Sequence, residues 1–361
     1  MRWQKPLAAA VVLTALTTTL TASAMPGAAP GGPCSPDARF LGFSDALNKT
    51  SYDGQLVSGL SALNVTGPHS AVALVDNVLT SPARVFTLKV SGKPTVSVDG
   101  MTILKRPDGT PFNAQDFDGE GLVVERGNRT ILATSEREPS IRRFRLSDGL
   151  QIGSLPVPAR FQVAPAGEAV SNGTFESLVA SRDGRSVFAG MEEPLAPDGR
   201  DTDDRGRNRI LHYTGRSGHD YRVAAQYAYK TDPGLSLVEL AWVSPTQLVS
   251  MERTFVAGVG NTIRVFTVSL RHASDVSKRA SLADAPEQVY VKKKLLFDLV
   301  NCPPSGATAL QPQPNPLLDN VEALALGGYL PGGRRQLYLL SDDNNGKLQI
   351  TRFYSLAVDL H

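Results

Sequence analysis

Short apolar runs recur along the chain from residue 57 to 356, alternating with polar positions or nearly continuous, each closed by Gly, Pro, Asn or Asp. Runs of this length bounded by turn residues predict β-strands rather than helices. The clearest group is Asp319-Asn-Val-Glu-Ala-Leu-Ala-Leu326, Arg335-Gln-Leu-Tyr-Leu-Leu-Ser-Asp-Asp343 and Gln349-Ile-Thr-Arg-Phe-Tyr354. Its first strand begins with a Glu, its second ends on paired Asp, and its third alternates. The same order recurs in Asp118–Leu146, Thr174–Tyr213 and Leu237–Thr267, with a weaker copy in Val57–Leu88. That first copy lacks the leading acid, and Ser58 stands near its place.

Repeats of this length, with turns between them, suit four-stranded propeller blades. The expected fold is all-β, a single β-propeller over residues 37–361. Five blades are read, with six as the alternative if residues 268–318 hide a degenerate blade. The predicted strands are 57–62, 71–76, 83–90 and 95–105; 120–126, 130–135, 141–146 and 151–157; 175–181, 186–191, 208–213 and 222–229; 237–242, 247–252, 262–270 and 288–300; and 322–327, 335–341 and 348–356. The last blade has only three. Ala38-Arg-Phe-Leu-Gly-Phe-Ser44 has no local partner and is expected to close the ring as the missing outer strand, which leaves few open edges. A helical turn or two is expected within residues 271–288.

Residues 1–24 read as an export signal. Arg2 and Lys5 start it, a small, apolar stretch follows, and Ala22-Ser23-Ala24 fits a cleavage site. Residues 25–36, rich in Pro, Gly and Ala, are expected to be a disordered lead-in. Without Arg2 and Lys5 the chain carries 35 basic and 35 acidic residues. A neutral balance argues against a general nucleic-acid binder. After the signal no apolar run reaches membrane length. The expected product is therefore a secreted monomer that acts on a small molecule. Its two cysteines, Cys34 and Cys302, read as a disulfide in an exported chain, since two thiols without nearby His do not complete a zinc site. In a closed ring the bridge would join the closing strand to the end of blade four.

The acids give the candidate chemistry. A hairpin brings the start of its first strand beside the end of its second, and the first strand of a propeller blade lines the channel. Glu120, Glu176, Glu239 and Glu322 are therefore expected to ring one mouth. Asp76, Glu136, Glu192, Glu252 and Asp342 are expected just outside them, with Asp343 and Glu193 nearby. Such a group repels itself unless an Arg or a cation intervenes. Arg137 and Arg253 directly follow second-strand acids. A hard cation is the other solution: calcium takes six to eight oxygens, and another divalent ion would also serve. The Asp-rich stretch 193–207 lacks EF-hand spacing and reads as a solvated loop.

No nucleophile elbow, phosphate-binding loop or His-Glu-x-x-His motif is present. The five His residues form no ligand-like pair, and His212 reads as packing. Glycosylation sequons occur at Asn48, Asn64, Asn128 and Asn172.

Asn320-Val-Glu-Ala-Leu-Ala325 with Leu339-Leu-Ser-Asp-Asp-Asn344, Gly119-Glu-Gly-Leu122 with Thr134-Ser-Glu136, and Phe175-Glu-Ser-Leu178 with Glu192 resemble the phytase-like family of exported bacterial proteins, described as having esterase-like activity of phytase. The similarity spans residues 38–356. It implies a β-propeller with calcium-dependent phosphomonoester chemistry. The resulting expectation is a metal-dependent hydrolase with Glu120, Glu322, Arg137 and Arg253 at the reacting centre. A non-catalytic binding propeller and a metal-dependent lactonase or carboxylic-ester hydrolase are the alternatives.

Overall fold

The computed structural model describes residues 31–76, 81–113 and 115–361. The expected signal at 1–24 lies outside them. Strand follows strand through antiparallel hairpins to give five sheets of four or more strands. Blade one contains Leu60–Gly67, Ser70–Val75, Arg84–Val90 and Val96–Ile103. Blade two contains Leu122–Val124, Thr130–Ser135, Ser140–Arg145 and Gln151–Leu155. Blade three contains Phe175–Ala180, Ser186–Met191, Arg207–Gly215 and Tyr221–Lys230. Blade four contains Ser236–Ser244, Gln247–Val256, Gly260–Ser269 and Lys292–Asp298.

Blade five is built from both ends of the chain. Val321–Tyr329, Arg335–Ser341 and Phe353–Val358 are consecutive, and Ala38–Ser44 pairs outside the last of them. Phe40 faces Leu356 and Ser44 faces Phe353. Pro33–Ser35 adds a further strand outside Ala38–Ser44, so the end of the expected loose lead-in is ordered. Its pairing is reinforced by the Cys34–Cys302 disulfide, which joins residues 268 apart in sequence.

The inner strands touch one another in ring order and return from blade five to blade one. Each of five buried apolar clusters fills the wedge between consecutive blades. One combines Met251 and Val265 of blade four with Leu339 and Leu356 of blade five. Others join blades five and one, one and two, two and three, and three and four. This explains the near-continuous apolar runs, because a strand packed on both faces has no solvent side to mark.

Residues 268–318 hold no sixth blade. They contain the outer strand of blade four and short 3-10 turns at Glu287–Val289 and Leu299–Asn301, so the helix expected at 271–288 shrinks to one turn. The segment is anchored by a buried ion pair. Arg209 binds Asp198 at 2.6 and 3.0 Å and donates to the carbonyls of Val276 and Arg279. The 193–207 stretch is correspondingly organised rather than merely solvated. Arg200 holds Glu193, and Asp198 is fully buried.

Candidate acidic site at one mouth of the channel

Four blades open with the same backbone hydrogen bond. The amides of Asp76, Glu136, Glu192 and Asp342 donate to the carbonyls of Gly59, Asp118, Thr174 and Asn320 at 2.7–2.9 Å. Two residues after each of these carbonyls stand Ser61, Glu120, Glu176 and Glu322. In blades one, three and five that residue falls where the strand register shifts, so an extra residue faces one partner. A bulge of this kind re-aims a side chain. Ser61 therefore fills the position of the missing acid, rather than Ser58.

Blade four departs from the pattern by one residue. Leu237 pairs with Glu252, Ser236 pairs with Arg253, and the register shifts between Leu237 and Glu239. Val238 thus takes the inner-acid position and Arg253 the outer-acid position. Glu239 aligns with Ala62, Gly121, Ser177 and Ala323, one step deeper, and lines a cavity that opens on the opposite face. Glu252 is buried outside the ring. It accepts from Tyr229 Oη at 2.6 Å and the Asp232 amide at 2.7 Å, and it pairs with Lys293. Neither Glu239 nor Glu252 belongs to the acidic mouth. The sequence carries a signal that finds this shift, a Leu at the same place in every blade: Leu63, Leu122, Leu178, Leu240 and Leu324. The Glu stands two before it in three blades and one before it in blade four.

The remaining acids meet. One carboxylate oxygen each from Asp76, Asp118 and Glu120 lie within 4.8 Å of one another, as do those of Glu120, Glu136 and Glu176. Asp118 was not anticipated, although it begins the Asp118-Gly-Glu run. Gly121 lets the strands approach: a Cβ there would stand 2.7 Å from the Leu178 amide nitrogen.

Burial and mutual repulsion push the carboxyls of Asp76, Glu120 and Glu176 well above their ordinary range. The same causes act on Asp342. Burial raises Glu136 to about 7, although the Thr174 amide and the Arg137 charge draw it back. Burial raises Glu192 to about 8 against the pull of Arg253. Arg253 makes an ion pair within this group. It binds Glu322 at 3.0 Å and the Asn320 side-chain oxygen. Glu322 also accepts from Asn320 at 3.0 Å and Ser61 at 3.2 Å. Asp343 is already committed to Lys49 and Ser58, which sets it apart from the open carboxylates.

The donor set fits a hard cation. Asp76 Oδ1 and Asp342 Oδ2 are buried with no hydrogen-bond partner among the described residues, a costly state for a carboxylate unless something else satisfies it. Carboxylate oxygens from several strands are the ligands that calcium and similar ions take.

The family model described as Phytase-like, esterase-like activity of phytase, matches residues 55–345. The chain belongs to this family. The matched span runs from before blade one to the paired Asp of blade five. No curated protein matches the chain in sequence. Among solved structures it is similar to the Pseudomonas aeruginosa periplasmic gluconolactonase, at 11% identity over 91% of this chain and 94% of that one, with a TM-score of 0.37. It is also similar to the Podospora anserina α-L-arabinofuranosidase in complex with cellotriose, at 10% identity over 87% and 95% of the two chains, with a TM-score of 0.43. The major Malassezia sympodialis allergen matches at 9% identity over 89% and 96%, with a TM-score of 0.43. Likeness at that level says nothing about what this chain binds or cleaves. No helix among the described residues is long and apolar enough to cross a membrane.

Proposed function

We propose that this phytase-like propeller is an exported hydrolase of phosphoric monoesters that works with a calcium ion, or a similar hard cation, at the acidic mouth. The observation that carries the reading is the meeting of Asp76, Asp118 and Glu120 around one point, with Asp76 Oδ1 left without a hydrogen bond among the described residues. Those three residues would hold the ion. When bound, such a cation withdraws charge from phosphoryl oxygens and lowers the pKa of a bound water.

The other groups supply the remaining roles. Arg253 faces the same mouth and neutralises charge that develops on the phosphoryl group. Glu136, raised to about 7, is poised to take up and release a proton near neutrality. Its carboxylate lies within 4.8 Å of those of Glu120 and Glu176. Ser61 and Asn320 hold Glu322 in place. Export is supported by the basic and apolar start of the chain and by the disulfide. The substrate is a small molecule and the protein a monomer in this reading.

The test is phosphate release from p-nitrophenyl phosphate and phytate, with calcium and with chelator. Calcium-dependent release that is lost in Glu120→Gln is expected. Release that persists in chelator, or that survives the substitution, would exclude the site. Calcium binding without any release of phosphate would favour a binding propeller instead.

A further inference from the structure

The inner strands run from the acidic mouth to a second opening on the opposite face. There a cavity of about 790 Å³ is lined by the far halves of all five inner strands. Its walls include Leu178, Leu240, Trp242 and Leu324, and Glu239 lies at its inner end. The acids of the catalytic mouth do not line it.

The charges around this cavity are unequal in availability. Glu125 is held by Arg143 at 2.8 Å and by the Gly218 amide at 2.7 Å. Arg335 donates to the Gly327 carbonyl at 2.7 Å. Glu239 is 3% exposed and accepts from the Leu240 amide at 2.8 Å. Burial pushes its carboxyl well above the ordinary range. Arg126 and Arg182 remain. They follow the inner strands of adjacent blades two and three, line the cavity, and are exposed. Neither has an ion pair among the described residues.

We propose that this second opening binds an amphipathic anion, with its carboxylate or phosphate head between Arg126 and Arg182 and its apolar body against Trp242, Val243 and Leu326, the partly exposed apolar side chains of the lining. Both ends line the same cavity. A buried apolar wall contributes about 25 cal/mol per Å² of surface removed from water, and two guanidinium groups recognise carboxylate or phosphate oxygens in a planar fork. A cationic amphiphile finds no exposed, unpaired acid among the described lining residues: Glu125 is held by Arg143 and Glu239 is buried. The site is independent of the acidic mouth and of the reaction proposed there.

Trp242 reports on the cavity directly. The chain has two tryptophans, Trp3 and Trp242, so in a full-length Trp3→Phe protein the emission comes from the cavity wall. In chelator, which keeps the acidic mouth out of the measurement, titration with sodium decanoate or decyl phosphate should change Trp242 emission saturably. Decyltrimethylammonium should not. Arg126→Gln/Arg182→Gln should weaken binding at least about tenfold, or about 1.4 kcal/mol. Both substitutions are at exposed positions, and an unchanged circular dichroism spectrum would show that the fold is kept. A response to only one anion would identify the head group that the guanidinium pair accepts. Equal binding of the cationic amphiphile, undiminished binding by the double variant, or no saturable response would each overturn the assignment. Glu120→Gln should bind decanoate as the parent does, so loss of catalysis and loss of this site are separable.

Discussion

Arg253 Nη2 donates to Glu322 Oε1 at 3.0 Å, and with that contact blade four supplies a positive charge where four other blades supply a negative one. The substitution follows from register: Arg253 pairs with Ser236 as Asp342 bonds with Asn320 and Glu192 with Thr174. Glu322, Glu192, Glu176 and Asp342 all act on its charge. Removing one partner of a buried pair costs about 3–5 kcal/mol. Arg253→Gln is therefore expected to lower the unfolding free energy by about 3 kcal/mol near neutrality, and calcium should restore part of it. Denaturant unfolding with and without calcium measures both. An unchanged midpoint would remove Arg253 as the counter-ion of the mouth.

The one-residue shift in blade four gives a second expectation. Glu120→Gln should weaken calcium binding by about tenfold or more, because Glu120 belongs to both groups of converging carboxylates. Glu239→Gln should leave calcium affinity unchanged, since that side chain lines the opposite cavity. Isothermal titration of both proteins decides the matter. Equal losses would mean that the two glutamates share one site, contrary to the observed register.

Much of this architecture is written locally. Strand positions, hairpins and the closing role of Ala38–Ser44 follow from short apolar runs and turn residues, because each run packs on both faces and each turn is made by nearby residues. The acidic mouth was legible in outline for the same reason: the acids of blades two, three and five hold fixed positions in the hairpin. What escaped was register. The bulge that carries Glu176 and Glu322 in blades three and five carries Val238 in blade four; Glu239 stands one position past it, which puts it on the other face, and the recurring Glu hides the offset. Asp118 escaped because it precedes the strand proper and one of its partners, Asp76, comes from the neighbouring blade one, a proximity that the packing of consecutive blades creates. The opposite cavity left no local signature, since each wall is one strand end among five.

The Cys34–Cys302 bond ties the outermost strand of blade five to the turn after blade four. Cross-linking across so long a loop restricts the unfolded chain, and removing a native disulfide typically costs about 2–5 kcal/mol. Cys302→Ser should lower the unfolding free energy by that amount. Hydrogen exchange should show faster opening at Pro33–Ser35 and Ala38–Ser44 than in the inner strands. Uniform loss of protection across all blades would show that the bond stabilises the ring as a whole instead of its seam.

The raised carboxyls make stability depend on pH in a definite direction. Glu136 stands at about 7 and Glu192 at about 8 in the folded chain, whereas an unfolded Glu titrates near about 4.3. Between those values the folded state binds more protons than the unfolded state, so stability falls as pH rises. The contribution is fully present below the unfolded pKa and is lost progressively through about 7 and about 8. Asp76, Glu120, Glu176 and Asp342 are shifted in the same direction and add to the trend. In chelator, the melting temperature should therefore drop between about pH 5.5 and about pH 8.5. Calcium should flatten that drop, because an ion bound only by the folded state stabilises it and does so most where the acids are ionised. A melting temperature in chelator that rises over this range, or a calcium effect as large at the acid end as at the alkaline end, would separate the buried carboxyls from cation binding.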